Sequence, residues 1–312
     1  MKPSILALGV VLATTTAFAQ SADLPTAPIV DDWIALQDEP SRQDLFKLTN
    51  SDDVFHANAI PNSFVFPQDA VEDSIKNIPR TNSIFGIDIS HYTPDGLPFE
   101  SLKAQDIRFV YAKATQGTAF KDAKFAGFWK ALDQLPADQK VLRGAYHFLS
   151  SADAPATQAE RFVAYVNLQG GFKDGDLPPV MDLEWDKASA NGIDRWQNLS
   201  AKQIVTNALA FLARVQQLTG KTPMMYTARS WWVERGIPES DIAKFAQYSV
   251  WVADYSRASL STEIPASPNK VKPAFWQFSE SSKLRSGFTG SFDANLFKGS
   301  EEDFQALFFP KK

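Results

Sequence analysis

The stretch Pro178-Pro179-Val180-Met181-Asp182-Leu183-Glu184-Trp185 has the pattern of a short buried strand that ends in two acids. The prolines mark its start, because proline has no backbone N–H to donate to a sheet ladder. Side chains alternate along a strand, so Asp182 and Glu184 face one side while Met181 and Leu183 face the other. The two acids are about 7 Å apart along the backbone. Their mutual repulsion favours keeping one of them protonated.

A neutral acid beside an ionised acid is the pair that glycosidic-bond cleavage requires. An Asp-x-Glu pair alone is weak evidence, since most acidic pairs are solvated groups on a protein surface. The context of this pair strengthens the evidence that it is functional. Val180, Met181 and Leu183 indicate a packed strand, and strand-like runs alternate with helical patterns from Ser83 onward.

Eight strand-like runs are predicted, at 84–90, 108–114, 142–149, 179–184, 223–227, 249–254, 273–278 and 291–296. Helical patterns at 122–135, 154–168, 200–218 and 238–247 separate the earlier runs, and helices are weak or missing between the last ones. Continuous apolar strands with helices between them are typical of a parallel barrel. We therefore predict an α/β fold, an irregular TIM-like β/α barrel that occupies residues 83–312.

The chain before the barrel divides into two parts. Residues 1–20 have the pattern of a cleaved signal peptide, with Lys2, an apolar run over 5–13 and the cleavage pattern Ala17-Phe18-Ala19. The apolar run is too short to span a bilayer, and we predict no membrane span. Residues 21–82 are an N-terminal extension, which we expect to be partly ordered against the barrel, with a helix at about 68–77.

Composition excludes several classes of protein. The formal net charge is −5, which does not suit a protein that binds nucleic acid by neutralising phosphates. The chain has no cysteine, so an exported form has no disulfides and its stability depends on its core. His56, His91 and His147 lack the spacing of a metal site. We expect no metal, no cofactor, and a monomer.

Polar and aromatic side chains follow the predicted strands at the end where barrel enzymes carry their chemistry. Carboxylates can transfer protons and stabilise cations, while aromatic faces with nearby amides suit the C–H faces and hydroxyl edges of sugars. The candidate catalytic residues are Glu184, Asp182, Asp88 and Asp293. The candidate substrate-binding residues are Tyr146, Tyr226, Trp276, Gln277 and Lys113.

Seven blocks of this chain, in order, resemble glycoside hydrolase family 25, the muramidase-type lysozymes. They are GIDISH at 86–91, FVYAKATQG at 109–117, GAYHF at 144–148, DLE at 182–184, WVADY at 251–255, WQF at 276–278 and GSFDAN at 290–295. The resemblance implies an irregular barrel that cuts the β-1,4 bond between N-acetylmuramic acid and N-acetylglucosamine in peptidoglycan. It places the catalytic acid at Glu184, its partner at Asp182, and two further active-site aspartates at Asp88 and Asp293.

The resemblance also implies assistance from the substrate's own 2-acetamido group, which Asp182 would orient or stabilise. Two departures are visible: Gln116 stands where the family often has glutamate, and the N-terminal extension has no counterpart in the family's core. Two alternatives stay open: a non-catalytic barrel that binds wall glycans, and a hydrolase of a chitin-like polymer. The sequence leaves open whether the exported protein works in the periplasm or in the medium, and whether cleavage retains or inverts the anomeric configuration.

Overall fold

The computed structural model describes residues 60–61, 63–73, 76–189, 192–285 and 287–310. The predicted signal peptide at 1–20 and residues 21–59 of the predicted extension lie outside these described residues.

Eight strands form the barrel, and they are numbered here in chain order. They are β1 Ser83–Ile89, β2 Ile107–Gln116, β3 Leu142–Phe148, β4 Val180–Leu183, β5 Met224–Ala228, β6 Val250–Ala253, β7 Phe275–Leu284 and β8 Phe292–Lys298. Each overlaps a run predicted from the sequence, and β7 continues to Leu284, beyond the predicted end at 278. Each strand pairs with its neighbours in chain order, and β8 pairs with both β7 and β1, so the sheet closes.

The barrel is mixed rather than parallel. Strands β1 to β7 run parallel, whereas β8 is antiparallel to both β7 and β1, so the predicted parallel arrangement is wrong for the last strand. The cause is the short connection between Leu284 and Phe292. A parallel crossover needs a dozen or more residues, while a short loop can join antiparallel neighbours.

Helices lie before, between and after the strands of the barrel. They are α1 Gln68–Val71, α2 Phe125–Gln134, α3 Pro155–Leu168, α4 Ala201–Thr219, α5 Arg229–Glu234, α6 Arg257–Thr262 and α7 Glu301–Phe308. Helix α4 begins at a capping box formed by Ser200 and Gln203, and it ends at Gly220, whose φ of 70° is left-handed. The helix predicted at 238–247 is instead the 3-10 segment Glu239–Phe245.

Aromatic side chains fill one half of the barrel interior. The Phe109 and Phe275 rings stack with their centroids 4.5 Å apart, and Tyr111 lies 5.1 Å from Trp251. Gly144 makes room for this layer, because a Cβ at that position would lie 2.1 Å from Tyr111 Cε1. The filled half leaves the carboxyl ends of the parallel strands as the place where polar side chains can gather.

The described part of the extension packs against the outer wall of the barrel. Residues Val65–Phe66 add a short parallel strand at the Lys283–Leu284 end of β7. The buried Phe64 ring lies 4.9 Å from Phe278 and 5.2 Å from Phe85, so it covers part of the barrel wall where the described residues between β7 and β8 form no helix.

The helix predicted at 68–77 is shorter in the structure. It ends at Val71, and the described residues that follow form a small antiparallel ladder between Glu72–Asp73 and Ile78–Pro79. The Asp73 carboxylate accepts a hydrogen bond from Lys76 N at 3.1 Å, which stabilises the turn in place of a further helical turn.

Candidate active site

A small cavity lies inside the barrel among the candidate residues. Its lining consists of Asp88, Tyr146, Val180, Asp182, Tyr226, Trp251 and Gln277. Five of these seven residues were predicted from the sequence as catalytic or substrate-binding. Because β1 and the five strands from β3 to β7 all contribute side chains to it, the closed barrel brings together residues that are far apart in the sequence. This space is called the carboxylate cavity below.

Gln277 on β7 connects Asp293 on the neighbouring strand β8 with Asp88 on β1, one strand further around the barrel. Its Nε2 donates to Asp88 Oδ2 at 2.7 Å and to Asp293 Oδ2 at 3.2 Å. Its Oε1 accepts from the phenols of Tyr226, at 2.8 Å, and Tyr255. The donor side of the amide thus faces the acids and the acceptor side faces the phenols, so both ends of this buried group are satisfied.

Asp88 receives a second donor, since Asn295 Nδ2 lies 2.8 Å from its Oδ2. Asp88 and Asn295 are both buried, and buried charges are tolerated when hydrogen bonds compensate for lost water. The Asp88 carboxylate is therefore held in one orientation, with two amide N–H groups on a single oxygen.

The antiparallel direction of β8 brings Asp293 to the site. Asp293 is near the start of its strand, and its register partner is Asp88, near the end of β1. In an all-parallel barrel the start of β8 would lie at the opposite end from the carboxylates. The topology that the sequence analysis missed is thus the reason that the predicted Asp88 and Asp293 meet.

Glu184 lies one residue beyond the end of β4, where the sheet ladder no longer holds the backbone. Glu184 and Asp182 are both buried, with 4% and 3% of their surfaces exposed, respectively. Thr227 Oγ1 donates to Leu183 O at 2.8 Å, and Trp232 Nε1 donates to Thr227 Oγ1 at 2.9 Å. The neighbouring strand therefore fixes the peptide that leads into Glu184.

Asp186 anchors the chain on the other side of Glu184. This fully buried carboxylate accepts from Ser151 N and Ser151 Oγ, both at 2.8 Å, and it pairs with Arg195. Its backbone N–H donates to Asp194 Oδ1 at 2.9 Å. Hydrogen bonds from two further loops thus position the segment that carries the candidate acid.

The other predicted substrate-binding residues lie in two places. Lys113 is buried, it pairs in register with Tyr146, and its Nζ lies 5.0 Å from the centroid of the Phe148 ring. Trp276 faces away from Gln277, because neighbouring strand residues point to opposite sides. Its Nε1 donates to Asp254 O at 2.7 Å, and its ring lines a groove on the outer wall.

His147 belongs to a buried network behind the site. Its Nε2 lies 3.1 Å from Gln158 Oε1 and its Nδ1 lies 2.7 Å from Thr115 Oγ1. Gln158 Nε2 donates to Ser150 O at 2.9 Å, which fixes the amide orientation and makes Oε1 the acceptor. His147 must therefore carry its proton on Nε2. Burial is the main reason that the pKa of His147 is lowered to about 3; the Gln158 hydrogen bond acts in the opposite direction, and the Lys113 charge adds to the lowering.

This depressed pKa predicts a loss of stability in acid. The unfolded chain binds a proton on this histidine below pH ~6.5, whereas the folded chain does not until the pH approaches 3. Stability is therefore fully present above pH ~6.5 and falls as the pH drops toward the folded pKa. Between pH 7 and pH 5 the free energy of unfolding should fall by about 2 kcal/mol from this group.

Urea unfolding of the wild type and of His147→Gln at the two pH values measures this contribution. Carboxylates contribute equally to both proteins, so the difference between the two losses isolates the histidine. We expect the wild type to lose about 2 kcal/mol more than the variant. Equal losses would show that His147 is protonated in the folded state.

Several residues that the structure places at the site were not predicted from the sequence. Asn295 and Tyr255 both contact the hydrogen-bonded group around Gln277, and Thr227 and Asp186 hold the segment that carries Glu184. Asn295 could have been found, since it lies two residues after Asp293 on the same face of a strand. Asp186 gave no signal, because its partners are in distant loops.

Within the described ranges, no three His, Asp or Glu side chains are grouped so that they could ligate a metal ion. The helices of the described ranges also include none with the length and apolar character needed to cross a bilayer.

Comparison with known families identifies the barrel. The model of the family "Glycosyl hydrolases family 25" matches residues 87–286, a range that contains Asp88, Asp182, Glu184 and Gln277. The chain belongs to this family. It is therefore a glycoside hydrolase, and the family resemblance found in the sequence is confirmed.

Curated relatives of this family-25 chain are similar over most of the barrel. Lysozyme M1 of Streptomyces globisporus is 31% identical over 231 residues, which cover 73% of this chain and 72% of the relative. The N,O-diacetylmuramidase of Arthroderma benhamiae is 34% identical over 154 residues, 49% of this chain and 61% of the relative. The protein YegX of Escherichia coli K12 is 30% identical over 235 residues, which cover 74% of this chain and 75% of the relative.

Solved structures show the same fold as this family-25 barrel. The bacterial lysozyme from Streptomyces coelicolor superposes with a TM-score of 0.59 at 29% identity, covering 73% of this chain and 98% of that chain. The muramidase from Acremonium alcalophilum has a TM-score of 0.59 at 29% identity, and the match covers 72% of this chain and 98% of that chain. The predicted TIM-like barrel is confirmed, with its last strand reversed.

Proposed function

We propose that this family-25 hydrolase is an N-acetylmuramidase, a lysozyme that cleaves the β-1,4 bond between N-acetylmuramic acid and N-acetylglucosamine in peptidoglycan. The observation that carries the proposal is the carboxylate cavity, where Asp88 and Asp182 face the same space as Gln277 and two tyrosines. Relatives named lysozyme and muramidase support the choice of substrate.

Glu184 is the proposed general acid. It gives its proton to the glycosidic oxygen as the bond from that oxygen to C1 breaks, which produces a neutral leaving hydroxyl. Burial and the two anchored peptides around it suit this role, since a proton donor must be held in a fixed position. The Glu184 carboxylate then takes a proton from the water that attacks C1, and the acid is regenerated.

Asp182 and the Asp88–Gln277–Asp293 group stabilise the positive charge that develops at the sugar ring. Preorganised carboxylates in a site with little water stabilise such charge strongly. Asp182 is the proposed partner of the substrate's 2-acetamido group, whose oxygen attacks C1 while the leaving group departs. Asp88 and Asp293 act as electrostatic partners, and Tyr146, Tyr226 and Lys113 line or adjoin the sugar position.

Purified peptidoglycan provides the direct test. Incubation with the full-length protein should release reducing ends, and mass analysis should identify fragments that end in reducing N-acetylmuramic acid. If the protein releases fragments from chitin but not from peptidoglycan, its substrate is a chitin-like polymer and not peptidoglycan. Binding to both polymers without any new reducing end would indicate a non-catalytic wall-binding barrel.

The proposed function also predicts where the protein acts. The signal-peptide pattern at residues 1–20 supports export to the periplasm or the medium, where peptidoglycan is accessible. N-terminal sequencing of the exported protein should give a mature start near residue 20 or 21, and detection only in an unprocessed form would contradict export by this route.

A further inference from the structure

A large groove lies on the outer wall of the barrel, and it is called the outer groove below. Its volume is about 1730 Å³, which exceeds the roughly 300–1,000 Å³ of a typical small-molecule site. Leu260, Trp276 and Phe278 contribute apolar side chains to its lining. Because side chains alternate along β7, Trp276 and Phe278 point away from the carboxylate cavity, into which Gln277 points. The outer groove therefore lies on the other side of β7 from the proposed site of cleavage.

The lining of the outer groove carries more positive than negative charge. The described cations that line it are Arg229, Arg257, Lys270, Lys272 and Lys298, and the described acids are Glu239 and Glu263. Glu239 accepts two hydrogen bonds from Arg229, and Glu263 pairs with Lys298 and Arg80. Because both acids already have cationic partners, the exposed Lys270 and Lys272 favour an anionic occupant.

The described part of the chain begins at this groove. Ile60 is fully buried, and its N–H donates to Leu260 O at 3.0 Å. Leu260 and Pro61 both line the outer groove. The residues that immediately precede Ile60 are therefore attached to the barrel at the groove itself.

The sequence before Ile60 has the composition that the outer groove favours. Residues 51–59 are SDDVFHANA, with two acids, no lysine or arginine, and the apolar pair Val54-Phe55. Asp53 is seven residues before Ile60, so it reaches at most about 25 Å from that anchor, because an extended chain spans about 3.3–3.6 Å per residue. Both the charge and the apolar side chains of this segment are thus complementary to the groove.

We propose that residues 51–59 of this same chain dock in the outer groove, with their two acids beside Lys270 and Lys272 and with Phe55 against the apolar lining. Docking covers Val271, which is half-buried, and Ile264, which is 71% exposed. Apolar groups surrounded by charged ones are typical of an interaction surface. Because the groove is on the outer side of β7, the docked segment leaves the carboxylate cavity open to substrate.

A thiol introduced into the groove measures whether the segment covers it. The chain has no cysteine, so Val271→Cys in the full chain gives a single reactive site. Adding Phe55→Ala should raise the rate of modification by a thiol reagent about tenfold, since burial of one phenylalanine shifts a docking equilibrium by that factor or more. Val233→Cys makes the same change at an exposed position of α5, and its rate should not respond to Phe55→Ala.

Zero-length carbodiimide coupling tests the ionic contacts in the unmodified protein. Carboxylates and amines in direct contact should be joined, so mass analysis should find residues 51–59 linked to Lys270 or Lys272 and not to the exposed Lys130 of α2. Lys270→Arg with Lys272→Arg keeps both charges but removes the reactive amines. This variant should lose the link while the Val271→Cys rate stays low.

Four outcomes would overturn the docking. They are an unchanged Val271→Cys rate in the presence of Phe55→Ala, coupling of residues 51–59 only to lysines outside the groove, protection that grows with protein concentration, and faster peptidoglycan cleavage by Phe55→Ala. The third would assign the groove to a second copy of the chain, and the fourth would place the segment over the carboxylate cavity. Labelling and coupling involve no turnover, so they decide the docking whether or not the protein is an active muramidase.

Discussion

Glu184→Gln is expected to lower kcat on peptidoglycan by about 10²–10⁴-fold, the usual contribution of a general acid. Glutamine has nearly the same shape but no proton to release, so substrate binding should change little while the chemical step slows. The measurement is the rate of reducing-end release from purified peptidoglycan at saturating substrate, together with KM.

Glu100→Gln is the matched control, since it makes the same change at an exposed position before β2. It should leave kcat unchanged. Both variants should unfold at the wild-type temperature within a few degrees, which would show that any loss of rate is chemical. A Glu184→Gln rate within about tenfold of the wild type would remove Glu184 from the role of general acid.

Phe64→Ala is expected to lower the free energy of unfolding by about 3–5 kcal/mol, the cost of truncating a fully buried phenylalanine. The Phe64 ring contacts rings on β1 and β7, so its removal leaves a void against the barrel wall. Such a loss would show that the extension and the barrel unfold together. Urea unfolding followed by tryptophan fluorescence measures the change.

Val71→Ala is the control for this variant. Val71 is in the same extension, but half of its surface is exposed, so its truncation should change stability by no more than about 0.5 kcal/mol. A loss below about 1 kcal/mol for Phe64→Ala would mean that this segment detaches without disturbing the barrel, and the extension would then be a peripheral arm.

The strand pattern was predictable from the sequence because it depends on local composition. Runs such as 142–149 and 179–184 combine apolar continuity with flanking turn residues, and the structure has β3 and β4 within them. The predicted length of the 68–77 helix was wrong for a local reason as well, since apolar spacing alone does not indicate the turn at Asp73. Boundaries of short elements depend on such single hydrogen bonds.

The roles of individual residues were harder to predict. Gln277 and Trp276 are adjacent in sequence and were both predicted to bind substrate, yet the structure places only Gln277 in the cavity. Strand alternation required one of the two to face outward, but which one depends on the register of β7. The residues that position Glu184 could not be predicted for a different reason. Asp186 contacts Ser151 and Arg195, which are in other loops, only in the folded chain.

By itself, the sequence determined the family and the eight strands and predicted four candidate acids, because these depend on short ordered blocks and on apolar periodicity along the chain. Only the tertiary structure decided that β8 runs antiparallel, that Asp293 thereby reaches Asp88, and that Gln277 bridges the two. The physical reason is the difference in range: periodicity acts between near neighbours, whereas strand direction and hydrogen-bond partners follow from how the closed barrel joins distant segments.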